Sequence, residues 1–225
     1  MSTAPDDDWP SAQITRPGLT TVSVVDALVA DLTRWILSGH YQPGVRLPES
    51  TLAKEYGVSR HTLRSAMDRL TGVLLAFSPN KGWSVPSLSI EDFHDLAFLR
   101  TALEVECFRG LALKGQPVGA DARAALNTML ASDEDAPDWS DRLLADMAFH
   151  RSLVDQAGSP RTSAAYRAVQ SSLHLYLVQR QDWFGTQSVR EWKDAHQAMA
   201  DAIDSADPEL VERTLREQFS YEITA

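Results

Sequence analysis

The chain has 225 residues and a formal net charge of −10, with 31 Asp and Glu against 21 Lys and Arg. This length allows one large domain or two ordinary ones, and the acidic balance of the whole chain argues against a nucleic-acid partner. The single cysteine excludes an internal disulfide, and no stretch approaches the roughly 20 apolar residues of a membrane span.

The first 18 residues are predicted to form a disordered arm. They contain three prolines and the acidic run of Asp6, Asp7 and Asp8. A signal peptide would carry basic residues at this place. We therefore expect the protein to stay in the cytoplasm.

The next part of the chain is predicted to form three helices, of which the second and third meet at a tight turn. Residues 22–38 carry apolar side chains at helical spacing, and a turn at residues 41–44 follows. Gly57 tolerates the positive φ angle that a sharp reversal needs, and Ser59 is a good N-cap for a helix that begins at Arg60. The residues at core spacing in this third helix are Leu63, Ala66, Met67 and Leu70. Such a corner presents a recognition helix to the major groove of DNA, although similar corners occur in proteins that do not bind DNA.

A β-hairpin is predicted directly after these helices. Residues 74–77 and 83–85 are short apolar runs rich in β-forming residues, and residues 78–82 join them as a turn. The turn places the cation of Lys81 at the tip of the hairpin. The sequence therefore predicts a winged helix-turn-helix at residues 19–86.

The charge is distributed unevenly, which removes the apparent conflict with a nucleic-acid partner. Residues 22–86 carry seven Lys and Arg against five Asp and Glu, whereas residues 87–225 hold a net charge of −10. A mildly basic DNA-binding part would thus be joined to an acidic part that stays away from phosphates. Because the basic excess is small, high affinity for DNA would need two copies of the chain.

The rest of the chain, residues 90–222, is predicted to be an all-α bundle. Gly and Pro residues separate its periodic segments. The predicted helices lie near 90–114, 118–131, 140–157, 160–183, 187–205 and 208–222. Cys107 falls in an apolar helical pattern and is interpreted as core filling. The predicted fold class is therefore mainly α, with a small β wing in the N-terminal part.

Polar residues recur at positions of this bundle that otherwise should be apolar. Asp146 and His150 are four residues apart, so both project from one face of a helix and suit two ligands of one metal ion. His196 lies on a later helix. The alternative is that Asp146 and His150 form an ordinary ion pair on the helix surface.

The N-terminal part resembles the DNA-binding domain of the GntR family of bacterial repressors. The matching pieces, in order, are Gly39-x-x-x-Pro43-Gly44-x-x-Leu47-x-Glu49, Leu52-Ala53, Gly57-Val58-Ser59-Arg60-x-x-Leu63-Arg64-x-Ala66, Leu70 and Gly82-x-x-Val85. One departure is the segment from Thr71 to Leu74, because the family usually has a longer approach to the wing.

This resemblance implies a set of DNA contacts. The candidates on the recognition helix are Ser59, Arg60, His61, Thr62 and Arg64. Arg can pair bidentately with guanine, and Ser or Thr can bond phosphates or bases. Lys81 and Gly82 would reach the minor groove. Arg46 and Ser50 are weaker candidates, and the alternative for Arg46 is a surface cation beside Glu49.

The C-terminal part, residues 90–222, resembles the FCD ligand-binding domain of the FadR subfamily. Its matching pieces are Leu99-Arg100-x-x-Leu103-Glu104, Asp146-x-x-Phe149-His150, Ala157-Gly158-Ser159-Pro160, Trp192-x-x-Ala195-His196 and Leu215-Arg216-Glu217-Gln218-Phe219. The resemblance implies that this part binds an effector and dimerises.

Many such domains hold a divalent metal, such as Zn²⁺ or Ni²⁺, with one Asp and three His. Carried over to this sequence, the ligands are Asp146, His150 and His196, and the fourth matching position is Gln218. An amide is a poorer ligand for these ions than an imidazole. Three ligands can still hold a metal if water or the effector completes its shell. The alternative, a chain that has lost the metal and binds its effector directly, remains open.

Three further residues are candidate effector contacts. Arg100 would pair bidentately with a carboxylate, and the alternative is a salt bridge with Glu104, itself a candidate, at i+4. His174 falls in the middle of a helix and would face the cavity. The alternative is a satisfied or exposed histidine, since no spacing links it to the other site residues.

These observations predict a ligand-responsive transcriptional regulator, acting as a repressor, and not an enzyme. A homodimer would bind an inverted-repeat operator, and a small metabolite of the organic-acid class would release or modulate it. Two alternatives remain. One is a metal-dependent hydrolase that uses Asp146, His150 and His196, and the other is a constitutive DNA-binding protein whose helical part only dimerises.

Overall fold

The computed structural model describes residues 23–131, 139–180 and 188–224. Across these ranges the chain forms nine helices and one three-stranded sheet, so the predicted mainly α fold with a small wing is confirmed. The helices are α1 Val24–Leu37, α2 Glu49–Glu55, α3 Arg60–Leu70, α4 Ile90–Leu113, α5 Ala120–Leu130, α6 Trp139–Gln156, α7 Pro160–Gln179, α8 Val189–Asp204 and α9 Pro208–Thr224. The predicted arm at residues 1–18 lies outside the described ranges.

Helices α1 to α3 form the N-terminal part. The Ser23 hydroxyl caps α1 by accepting from two backbone N–H groups of its first turn. Ser59 caps α3, as predicted, and accepts from the N–H of Thr62. Gly57 has a φ of +65°, which allows the reversal between α2 and α3. The apolar faces of the three helices close a core that includes Leu28, Leu32, Ile36, Leu52, Ala53, Leu63 and Met67.

The wing is a three-stranded antiparallel sheet, where the sequence predicted a two-stranded hairpin. Its strands are β1 Arg46–Leu47, β2 Ala76–Ser78 and β3 Gly82–Ser84, in the order β1-β3-β2. Strand β1 is two residues long and is held by its pairing with β3. The strand predicted from residue 74 begins at Ala76, because Leu74 and Leu75 are buried in the helical core before the wing starts.

The C-terminal part is an all-α bundle of α4 to α9, with helix bounds close to the predicted ones. Helix α7 ends at Gln179, and residues 181–183 of the predicted helix lie outside the described ranges. Cys107 is buried in the bundle core, as predicted, and burial raises its pKa to about 11. None of the described helices is long and apolar enough to cross a bilayer.

Helix α7 belongs to the bundle and also packs on the N-terminal part. Leu175 is buried in the core that α1 to α3 form. The Ser172 hydroxyl donates to the backbone oxygen of Val73 at 3.0 Å. The amide of Gln179 donates to one backbone group at 2.9 Å and accepts from another at 3.1 Å, both within residues 86–88. One helix therefore contacts both parts and the segment that connects them.

Candidate functional site

The N-terminal end of α3 carries most of the predicted DNA contacts. Arg60 and His61 are exposed there, and the partial positive charge of a helix N-terminus favours phosphate. Thr62 is half-buried, and its hydroxyl shares a hydrogen bond of 2.7 Å with the Ser59 hydroxyl. Ser59 therefore fixes the first turn of the helix that presents these side chains.

Arg64 is held by two neighbours in the N-terminal part. Its guanidinium donates to Glu49 Oε2 with distances of 2.6 and 3.2 Å and lies 5.5 Å from the centre of the Trp83 ring. The Arg64 side chain remains 55% exposed. Glu49 thus pairs with Arg64, whereas Arg46 stands exposed on β1. This arrangement orients one predicted base-contacting cation and leaves it accessible to DNA.

The wing and its surroundings carry the remaining predicted contacts. Lys81 is exposed between β2 and β3, and Gly82 has a φ of +72°, which the tight turn of the hairpin requires. Arg46 lies opposite Ser84 in the sheet, and Ser50 is exposed in the first turn of α2. Together with α3, these residues form the candidate nucleic-acid interface.

A buried polar centre lies inside the C-terminal bundle. Asp146 and His150 on α6 meet His196 on α8, and one ligand atom from each lies within 4.8 Å of the others. His196 Nε2 is 2.8 Å from Asp146 Oδ1 and 3.2 Å from His150 Nε2. His150 and His196 are 1% and 0% exposed. The alternative of an ordinary surface ion pair is therefore wrong.

Neighbouring groups fix the proton positions on both histidines. His196 Nδ1 lies 2.7 Å from the backbone oxygen of Trp192, which can only accept, so this nitrogen carries the proton. His150 Nδ1 lies 3.0 Å from Glu104 Oε1, a close contact that is not aligned as a full hydrogen bond. A carboxylate would repel a lone pair there, so Nδ1 carries the proton in this ring too. In their neutral forms both rings therefore turn an Nε2 lone pair toward Asp146.

Both carboxylates of the centre stay ionised. Burial by itself raises the pKa of Glu104, but the charge of Arg100 and the contacts from His150 and Tyr166 outweigh it and lower the pKa to about 2. Burial also opposes ionisation of Asp146, but a hydrogen bond from His196 in its protonated form and the charge of Arg100 hold its pKa well below the usual range. Burial lowers the pKa of His150, which favours the neutral ring. The centre therefore holds two negative carboxylates, and burial favours the neutral form of the His150 ring.

Arg100 lies inside this centre and makes the salt bridge that the sequence offered as an alternative. Its Nε is 2.8 Å from Glu104 Oε1, and its Nη2 is 3.6 Å from Asp146 Oδ2. The Arg100 side chain is only 13% exposed. Arg100 therefore offsets part of the negative charge of the two carboxylates.

His174, the third predicted effector contact, is not part of the group formed by Asp146, His150 and His196. It lies half-buried on α7, two helical turns from Tyr166, and burial lowers its pKa to about 4. Its role as an effector contact stays a prediction.

The residues of the centre fit a divalent cation. Zn²⁺ ligands lie about 2.0 to 2.2 Å from the ion, which places neighbouring ligand atoms of a tetrahedral shell about 3.3 to 3.6 Å apart. The separations among the ligand atoms of Asp146, His150 and His196 are 2.8, 3.2 and 4.0 Å. Buried lone pairs that face one another repel unless a cation or a proton lies between them. The donor set of one carboxylate and two imidazoles therefore matches the metal that the resemblance implies.

Sequence reasoning missed three neighbours of this centre. The Tyr166 hydroxyl donates to Glu104, and the Trp192 indole N–H donates to Asp146 Oδ1 at 3.3 Å. The Arg142 guanidinium lies 4.9 Å from the centre of the Trp192 ring. Arg142 and Trp192 each stand one helical turn before a residue of this centre, so helical spacing could have found them. Tyr166 lies on another helix and carries no such signal.

Comparison with known families gives two matches that together span both parts. The family described as bacterial regulatory proteins, gntR family, matches residues 25–85. The FCD domain matches residues 95–220, which is more than half of the chain.

Individual relatives agree with these matches. The galactonate operon transcriptional repressor of Escherichia coli (strain K12) is 25% identical over 218 residues, which cover 86% of this chain and 92% of that protein. The Nta operon transcriptional regulator of Aminobacter aminovorans is 29% identical over 163 residues, which cover 71% and 74%. A solved structure from Rhodococcus sp. RHA1, assigned to the GntR transcriptional regulators, has a TM-score of 0.76 at 23% identity and covers 90% of this chain and 96% of that one. This likeness shows a common fold.

Proposed function

Since the chain belongs to the GntR family of bacterial regulatory proteins and carries an FCD domain, we propose that it is a ligand-responsive repressor of transcription. A homodimer would place two winged helices on an inverted-repeat operator. A small organic acid would bind the C-terminal bundle and change the affinity for that operator. The protein would act in the cytoplasm, where bacterial DNA lies, and not as an enzyme.

The observation that carries this proposal is that α7 contacts both the buried polar centre and the N-terminal part. Tyr166 is the seventh residue of α7, and its hydroxyl donates to Glu104 in the centre. Further along the same helix, Ser172 donates to the backbone of Val73 ahead of β2, and Gln179 donates to the backbone of Pro86 after β3. An effector that displaces α7 would therefore favour one arrangement of the two parts over another, which is what a shift in operator affinity requires.

A divalent cation held by Asp146, His150 and His196 would favour binding of an anion inside the bundle. When bound, the ion supplies a positive charge that attracts a carboxylate and can accept it as a further ligand. The guanidinium of Arg100 lies in the same centre and can pair with that carboxylate. The similarity to a repressor named for a galactonate operon supports an organic acid as effector.

The DNA-binding half of the proposal is tested by electrophoretic mobility shift with genomic fragments. We expect the wild type to bind a specific fragment and an Arg60→Ala/Arg64→Ala double variant to lose about tenfold or more in affinity, because two exposed cations of α3 are removed. The matched control is Arg161→Ala/Arg190→Ala, which removes two exposed cations from the C-terminal bundle. The proposal fails if no fragment binds specifically or if the double variant binds like the wild type.

The sensing half is tested by thermal shift against a panel of carboxylic acids, with and without added Zn²⁺. We expect at least one acid to stabilise the wild type and to change its mobility-shift affinity, since a ligand that binds only the folded state raises its stability. The His196→Ala variant should lose the dependence on Zn²⁺. A wild type that no acid stabilises would favour a constitutive DNA-binding protein.

A further inference from the structure

Gln218 reaches the buried centre from α9, while the three ligand residues lie on α6 and α8. Its Nε2 atom is 3.4 Å from His196 Nε2. Within the described residues, its Oε1 atom is buried and has no hydrogen-bond partner. A buried acceptor without a donor is unfavourable, so the oxygen requires a partner that these residues do not supply.

The Gln218 amide can serve the centre in two orientations. In the present one its NH₂ group faces His196 Nε2, the atom that carries a lone pair when the ring is neutral. Rotation of the amide by half a turn exchanges nitrogen and oxygen at nearly the same positions. The carbonyl oxygen would then face the group formed by Asp146, His150 and His196, where a cation would give it a partner.

We infer that the Gln218 carbonyl is the fourth protein ligand of the cation. The ratio of Zn²⁺ affinity to Mn²⁺ affinity is then smaller with this glutamine than it would be with a histidine at the same position. This inference rests on the proposed function, in that it requires a metal to bind at Asp146, His150 and His196. It goes further by giving position 218 a defined role, where the resemblance alone suggests a lost ligand.

The physical reason lies in the donor atoms. Imidazole nitrogen suits Zn²⁺ and Ni²⁺, whereas carbonyl and carboxylate oxygens suit Mn²⁺ and Mg²⁺. With Gln218 the centre offers two oxygens and two nitrogens, and a histidine at 218 would change this to one oxygen and three nitrogens. The amide therefore weakens the hold on Zn²⁺ more than the hold on Mn²⁺. A cation held in this way is more readily exchanged with its surroundings.

The test is isothermal titration of the full chain with Zn²⁺ and with Mn²⁺, after removal of bound metal by a chelator. We expect Gln218→His to raise Zn²⁺ affinity about tenfold or more and to change Mn²⁺ affinity much less. Gln218→Met keeps the side-chain volume without the oxygen and should lower Mn²⁺ affinity about tenfold. Gln218→Glu restores an oxygen at the same reach and should recover Mn²⁺ binding. Gln116→His, in the exposed turn after α4, is the matched control for adding a histidine.

The ratio of the Zn²⁺ and Mn²⁺ affinities distinguishes a ligand from a merely structural residue. Loss of packing would lower the affinity for both ions equally and leave this ratio unchanged. A ratio that stays the same in Gln218→His and Gln218→Met, while the wild type binds metal, overturns the role of Gln218 and leaves the proposed metal centre intact. No binding of either ion by the wild type and by Gln218→His overturns the proposed metal centre together with this inference.

Discussion

His174 links the stability of the bundle to pH. Burial on α7 lowers its pKa from the ordinary value of 6.5 to about 4. In the unfolded chain the ring takes up a proton as the pH falls below 6.5, whereas the folded protein takes it up only near pH 4. The unfolded state therefore binds more protons between these values, and the free energy of unfolding falls as the pH is lowered through this window.

We expect this residue alone to remove about 1 kcal/mol from the free energy of unfolding between pH 7.5 and pH 5.5. Urea denaturation at both pH values, followed by tryptophan fluorescence, measures the change. His174→Gln should reduce the pH dependence by that amount. His94→Gln, which removes an exposed histidine from α4, should leave it unchanged. Equal pH dependence in the wild type and in His174→Gln would show that another group is responsible.

Glu49 has two opposite effects on DNA binding, because its charge repels DNA and its contact with Arg64 orients that side chain. Removing the Glu49 carboxylate takes a negative charge away from the DNA surface, which by itself strengthens binding to any duplex. The same change releases Arg64, which would then have to be ordered when it contacts a base. We expect Glu49→Ala to weaken operator binding about three- to tenfold because the lost orientation outweighs the charge, while binding to a scrambled duplex does not weaken.

Fluorescence anisotropy with operator and scrambled duplexes measures both affinities. Glu55→Ala makes the same change of charge at an exposed position at the end of α2 and serves as the control. If Glu49→Ala binds both duplexes more tightly, as the control should, then the contact with Arg64 does not contribute to recognition.

Spacing along α6 could predict that Asp146 and His150 lie together, and the family resemblance added His196, but neither could predict the groups that fix their protonation. Asp146 and His150 share a helix face because they are four residues apart, and this spacing is visible in the sequence. The contacts from Glu104 and Tyr166 come from α4 and α7, so they depend on how four helices pack. Spacing along one helix carries no information about partners on another.

Among the elements, α7 is expected to transmit ligand binding to the DNA-binding part. A Ser172→Ala/Gln179→Ala double variant removes three hydrogen bonds that join α7 to the N-terminal part and to the connecting segment. In the wild type we expect Zn²⁺ to change operator affinity about fivefold or more, and in the variant we expect this factor to approach one. The affinity for Zn²⁺ itself should stay nearly the same, since neither residue touches the centre.

Operator titrations with and without Zn²⁺, together with calorimetry for the metal, separate coupling from binding. Gln197→Ala is the control, because its amide bonds Asp201 within α8 and does not reach the N-terminal part. If Zn²⁺ changes the operator affinity of the double variant as much as that of the wild type, the coupling depends on contacts other than these hydrogen bonds, such as the buried Leu175.

The elements themselves were predictable to different degrees. Most helix ends of the bundle fall within two residues of the predicted ones, because Gly and Pro breaks and serine caps mark them in the sequence. Strand β1 was not predicted, since two residues carry no alternation and the strand exists only through its pairing with β3 far along the chain. Local patterns thus determined the helices, and a long-range pairing completed the wing.

For the whole molecule, charge and apolar surface both favour a second copy of the chain. The DNA-binding part has only a small basic excess, so we expect high affinity for DNA to require two copies of the chain. Helix α4 exposes Phe98 at 75% and Leu99 at 45%, one turn before the exposed Ala102 on the same side. Large apolar side chains grouped on a surface mark a place where another protein binds. We therefore expect α4 to lie in the dimer interface.

A Phe98→Asp variant is expected to shift the protein from dimer to monomer, because a carboxylate would be buried in an apolar contact without a partner. Operator affinity should then fall about a hundredfold, since the second winged helix no longer binds at the high effective concentration that the dimer provides. Light scattering after gel filtration measures the mass, and mobility shift measures the affinity. Leu144→Asp makes a comparable change on the exposed side of α6 and should preserve both dimer and affinity. A monomeric wild type would contradict the proposed homodimer, whereas a Phe98→Asp protein that stays dimeric would place the interface elsewhere on the bundle.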